Sequence, residues 1–187
     1  MLAEHRLNPT ATLVAIGLLV AFGVIGRLLP HWPNFTPLVA LAVFAAFLFR
    51  TGPAAWIIPA AVLLISNLIL GFYEPGVMAG VFAGALLAVT AGRIAFRHGA
   101  TVFSIGAASL GGALTFFVLS NLAVWTFGAD GHAYPHTLEG LVACFTAALP
   151  FFKYMLAGTV FWGAVLFGGY ALAMRLLPGA FTAQQTR

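Results

Sequence analysis

The stretch TVFSIGAASLGGALTFFVLSNLAVWTF, Thr101 to Phe127, contains no Asp, Glu, Lys or Arg. As a helix it would reach about 40 Å, more than the roughly 30 Å of bilayer hydrocarbon. A helix of that length at a water-facing surface carries charge along its outer face. Here the only polar side chains are Thr101, Ser104, Ser109, Thr115, Ser120, Asn121 and Thr126. The stretch reads as a membrane span.

The rest of the chain repeats the pattern. Only 6% of its residues are charged and 62% are hydrophobic, against about 25% charged in soluble domains. Apolar segments recur between short Pro, Gly or Arg punctuation. Helix 1 is expected from about Thr10 to Leu29, stopped by Pro30. Arg6 precedes it, yet the apolar run is long for a signal peptide and is read as a retained helix. Helix 2 is expected from about Thr36 to Phe49, helix 3 from Pro53 to near Gly71, and helix 4 from the turn Phe72 to Gly76 to near Phe96. Helix 5 is the opening stretch, and helix 6 runs from Phe151 to Leu176.

One connection is long, Gly128 to Pro150. Thr137 can cap a short helix from Leu138 to Leu149, which Pro150 would end. At about 18 Å it cannot span, and so reads as interfacial or re-entrant. The expected fold is an all-α membrane protein, one domain over 1–187. It has six transmembrane helices with a short interfacial or re-entrant helix between helices 5 and 6. Helix 2, at about 21 Å, needs either longer neighbours around its ends or a thinned bilayer.

Charge placement orients the bundle. With the N-terminus cytoplasmic, Arg6, Arg50, Arg93, Arg97, Arg175 and Arg187 lie inside, and only Arg27 and Lys153 lie outside. This gives a multi-pass membrane protein with both termini cytoplasmic. The net charge of +4 is scattered at segment ends, with no stripe to follow phosphates, so no nucleic-acid partner is expected. The single Cys144 excludes an intramolecular disulfide and a metal site built of cysteines alone. No Ser, His and acid share a depth, and no His-Glu-x-x-His is present. Neither an enzyme nor a cofactor is expected.

Two polar pairs stand at similar depth below the outer side, Ser66-Asn67 in helix 3 and Ser120-Asn121 in helix 5. Amides in hydrocarbon must find partners, so both should face inward. Either Asn67 and Asn121 form an interhelical clasp, or they floor an outward-opening pocket walled by Trp125 and Tyr134. Asp130, His132 and His136 could hold a metal, although Pro135 spoils the helical spacing that two histidines would need. Glu139 and Lys153 flank the short helix and would either pair across its base or grip a charged substrate. Small residues form helix faces at Ala42 and Ala46, at Gly80 and Gly84, and at Ala88 and Gly92. Such faces let backbones approach, inside the bundle or against a partner helix.

Leu29-Pro30-His31-Trp32-Pro33-Asn34-Phe35-Thr36-Pro37 with Ala40-Leu41-Ala42 resembles the opening of an uncharacterised bacterial family of small multi-pass membrane proteins. Ser66-Asn67-Leu68-Ile69-Leu70-Gly71 resembles its second signature, where Asp is more usual than Asn67. Asn121, Trp125, Tyr134, Thr137, Gly140-Leu141 and Pro150-Phe151-Phe152 resemble its third. Size and six-helix plan are similar to the S components of energy-coupling-factor vitamin transporters. That resemblance implies capture of a small vitamin-like molecule from outside and toppling of the subunit to release it. It also implies a membrane scaffold or ATPase-coupled partner docking on an alanine face such as Ala42 and Ala46. The cobalamin-binding kind uses a cysteine after helix 3, and Phe72 to Gly80 has none. The substrate-binding residues expected are Ser66, Asn67, Asn121, Trp125, Tyr134, His136, Glu139 and Lys153. The alternative function is a non-catalytic helper subunit of a larger membrane complex.

Overall fold

A computed structural model of the chain describes residues 9–128 and 133–176. Six helices follow in order: α1 Pro9–Leu28, α2 Leu38–Leu48, α3 Ala54–Leu70, α4 Pro75–Phe96, α5 Val102–Phe127 and α6 Leu138–Leu176. Four of them, α1, α4, α5 and α6, are long and apolar enough to cross a membrane; α2 and α3 are apolar but shorter.

The core is α2. It is apolar all round, which is the pattern of a helix enclosed on every side, and Leu38 through Phe47 are all buried. All five other helices pack against it. At about 16 Å it is too short to span alone. Of the two expectations for helix 2, enclosure by longer neighbours is the one observed. It begins at Leu38 rather than Thr36 because Pro37 occupies the N-cap. In a lipid-immersed bundle such enclosure stabilises through close packing, since lipid tails are as apolar as Leu41 or Val43.

Consecutive helices run up and down, which sorts their ends into two groups. At one end lie Phe49, Arg93 and the start of α5, closed by an aromatic cluster. Phe167 meets Phe44 at 5.1 Å and Phe47 at 5.4 Å, and Tyr170 meets Phe47 at 5.2 Å. At the other end lie Arg27, Asn67, Glu74 and Phe127. Local chemistry fixes several of these ends. Glu74 accepts from Val77 N at 2.7 Å to cap α4, with Pro75 following it. Thr101 and Ser104 form a reciprocal capping box at α5. Asn34 supplies the left-handed turn (φ 62°) between α1 and α2, a conformation that Asn tolerates better than most residues.

The expected break at Pro150 is not there. α6 is one helix of 39 residues with Pro150 inside it, about 58 Å long. Proline removes one backbone donor, and helices survive that loss when neighbouring elements hold both halves. Here both halves are held. Phe145 and Phe152 flank Phe117 of α5 at 5.7 and 4.6 Å, while Phe167 beyond packs on α2. Between them, Gly158 lets the α1–α2 loop lie directly on the helix. A Cβ at that position would come within 3.0 Å of Phe35 Cα. Trp32 stacks on Tyr154 at 5.9 Å, so the proline-rich opening signature is seated on the middle of α6. The separate interfacial helix is therefore replaced by the first turns of α6.

Candidate functional site

Arg27 lies in the last turn of α1. One turn earlier Gly23 sets how closely α1 approaches its neighbours, since a Cβ there would fall 2.5 Å from Val62 Cγ2 and 2.8 Å from Leu41 Cδ2. That approach brings the guanidinium to the end of α3. Arg27 Nε donates to Ser66 Oγ at 2.8 Å, and Nη2 donates to Asn67 Oδ1 at 3.4 Å. Ser66 Oγ in turn donates to Leu63 O at 3.2 Å.

Asn67 is 1% exposed, and its Nδ2 has no hydrogen-bond partner. Turning the amide over would set its N–H groups against those of Arg27, so the guanidinium fixes the orientation. Tyr73 stands beside this group in the α3–α4 turn. Burial pushes its phenol above the ordinary range, and the Arg27 guanidinium and the Asn67 amide pull it part of the way back. No hydrogen bond of ordinary geometry joins Tyr73 to Asn67 Nδ2.

The chemistry of the group is one-sided. It holds a half-buried cation whose partners here are a neutral hydroxyl and a neutral amide oxygen. It also holds a buried amide donor left unpaired, an arrangement that costs about 1–3 kcal/mol. Glu74, close in sequence, spends a carboxylate oxygen on capping α4. Such a site complements an acceptor, above all a carboxylate or phosphate oxygen.

The expected residues divide. Ser66 and Asn67 come together with Arg27, which sequence reasoning had treated only as an orienting charge. The available signal was its place within helix 1, level with the polar pair of helix 3 rather than out in the loop. Asn121 is elsewhere. Its Nδ2 donates to Phe117 O of its own helix at 2.8 Å, and its carbonyl receives Cys144 Sγ at 3.5 Å. α3 and α5 do not touch, because α4 and α2 pack against both of them. Asn67 and Asn121 thus form neither a clasp nor a shared pocket floor.

Trp125 and His136 do meet, at the end of α5. The rings lie 5.4 Å apart, and Trp125 Nε1 donates to Pro135 O at 3.0 Å. Tyr134 is half-buried nearby in sequence. Asp130 and His132 fall outside the described residues. Glu139 and Lys153 sit on one continuous helix, about 21 Å apart along its axis, too far to pair. Glu139 is exposed on the first turn of α6, and Lys153 lies over the neighbouring Tyr154 ring at 4.9 Å.

The small-residue face of α2 is also relocated. Ala42 and Ala46 are 0% exposed. A Cβ at Gly92 of α4 would lie 2.7 Å from the Ala46 methyl. Ala46 serves packing of α2 against α4 and Ala42 is enclosed as well, so the outer alanine face expected for a docking partner does not exist there.

No curated protein and no solved structure matches this chain. One family model does, over residues 7–180, and the chain belongs to that family of unknown function, DUF6580.

Proposed function

We propose that the protein is a substrate-binding integral membrane protein of the S-component type. It takes a small vitamin-like molecule from the outer side of the bacterial inner membrane. In this reading all six helices lie in the membrane with both termini cytoplasmic, and α2 is enclosed by its longer neighbours. The Arg27, Ser66 and Asn67 group then faces outward, and the proposed ligand presents a carboxylate or similar acceptor to it. The observation that carries the reading is the unpaired, buried Asn67 Nδ2 beside a cation that has only neutral partners. A bound acceptor would satisfy both. Release inward would fall to an ATPase-coupled membrane scaffold, and the subunit itself performs no catalysis. The face expected to dock that scaffold, Ala42 and Ala46, is enclosed, so the scaffold would have to dock on another surface.

Mass spectrometry of small molecules released from the purified protein tests the proposal. The wild-type chain should release one acidic compound in stoichiometric amount. Arg27→Met should release at least tenfold less. Equal amounts from both proteins, or none from either after growth in rich medium, would count against it.

A further inference from the structure

At the end of the bundle opposite Arg27, three arginines converge on one cleft. Arg50 follows α2, Arg93 lies in the last turn of α4, and Arg97 stands just beyond it. With Ala46, Thr51 and Phe96 they line a cavity of about 370 Å³. Two of the three also brace the fold. Arg50 donates to Phe96 O, and Arg93 donates to Phe49 O at 3.0 Å and to Gly52 O. Bracing does not exhaust them. Arg93 Nε is buried without a partner, and Arg97 is exposed with its guanidinium bonded to no described residue. The acids among the described residues, Glu74 and Glu139, begin α4 and α6 at the other end. Orienting charge needs only exposed basic residues in a loop; it does not need three of them on one concave surface.

Next to the cleft the surface turns apolar. A groove of about 450 Å³ runs between α5 and α6, lined by Val102, Ile105, Leu110, Val160 and Phe167 among others. The two cavities meet through their walls. The Phe96 ring, which lines the basic cleft, lies 6.3 Å from the ring of Phe167 in the groove. Cationic donors at a helix end beside an apolar channel match one occupant: a phospholipid with its phosphate at the arginines and an acyl chain along α5 and α6.

We infer that Arg50, Arg93 and Arg97 form a binding site for the headgroup of an anionic phospholipid, whose acyl chain lies in the α5–α6 groove. The site is separate from the Arg27 group and stands whether or not that group binds a substrate.

Native mass spectrometry of the purified full chain with equal phosphatidylglycerol and phosphatidylcholine tests this. The wild type should retain phosphatidylglycerol preferentially. Arg97→Glu should cut that preference roughly tenfold, and Arg97→Gln by less. Neither change disturbs an intramolecular bond, so both variants keep their helical circular dichroism. Arg175→Glu, at the same end but off the cleft, should leave the preference unchanged. Three results overturn the inference: no preference in the wild type, equal loss with Arg175→Glu, or no loss with Arg97→Glu. Inorganic phosphate is the fourth arm. If millimolar phosphate displaces the lipid completely and protects the wild type, but not Arg97→Glu, against heating, the cleft serves a free anion and the lipid assignment falls.

Discussion

Arg50 and Arg93 close each other's helices. Arg50, just past the end of α2, donates to Phe96 O at the end of α4, and Arg93 of α4 donates to Phe49 O at the end of α2. The last carbonyls of a helix have no partner within it, and the helix dipole places negative charge there. Each cation thus satisfies a carbonyl that its neighbour leaves open. Trp56 packs its ring 3.8 Å beneath the Arg93 guanidinium and fixes α3 to the same point.

Arg93→Met keeps the stem and removes the donors and the cation. Thermal unfolding in detergent should show a loss of about 2 kcal/mol, the scale of one charge-assisted hydrogen bond with its cation–π contact. An unchanged melting temperature would mean that water replaces the bonds without cost. Arg93→Lys should recover only part of the loss, because an ammonium does not stack on the Trp56 ring as the planar guanidinium does.

Ala46→Leu probes the enclosure of α2. The methyl group is buried against Gly92, where even a Cβ on the glycine would come within 2.7 Å of it. Overpacking of this kind costs about 1–3 kcal/mol. The isolated monomer should therefore melt earlier or fail to accumulate. A variant with wild-type stability would return Ala46 to an outer face.

The helix ends were legible because each is marked by chemistry that acts locally, such as Pro30 after α1, Pro53 before α3 and Gly71, which leaves α3 with φ 96°. Pro150 was misread because a proline states only that a donor is missing. Whether the helix stops or carries on depends on what Phe145, Phe152 and Phe167 pack against, which is a tertiary fact. The alanines of α2 were ambiguous for a related reason. In lipid, a small-residue face looks the same whether it meets its own bundle or another chain. Ser66 and Asn67 were found from their polarity, but their partner was not. Arg27 at a helix end resembles any orienting charge until α1 is known to lie against α3.

Orientation has its own test. In a Cys144→Ala background, Phe72→Cys in the α3–α4 turn should react with a membrane-impermeant maleimide on intact cells. His98→Cys, in the α4–α5 turn at the opposite end, should react only after the cells are opened. Both positions are exposed. Labelling in the reverse order would turn the molecule over and place the Arg27 group on the cytoplasmic side.

The role of Asn67 separates most cleanly through Asn67→Asp. The substitution is nearly isosteric, so packing around a residue only 1% exposed is kept. It removes the unpaired Nδ2 and sets a carboxylate oxygen against Arg27 Nη2, where an amide oxygen now stands at 3.4 Å. Hydrogen bonds between ionised groups are about twice as strong as neutral ones. The half-buried Arg27 cation is already partly desolvated in the native fold, so most of the added desolvation penalty falls on the new carboxylate. The melting temperature should therefore rise. Retention of an acidic ligand should fall by a hundredfold or more, because the cation is then neutralised and the incoming anion meets a like charge. Asn67→Leu should lower both stability and retention, since it leaves Arg27 with one partner fewer. If Asn67→Asp raises stability and ligand retention is untouched, the Arg27, Ser66 and Asn67 group is a structural clasp between α1 and α3, and the proposed substrate binds elsewhere.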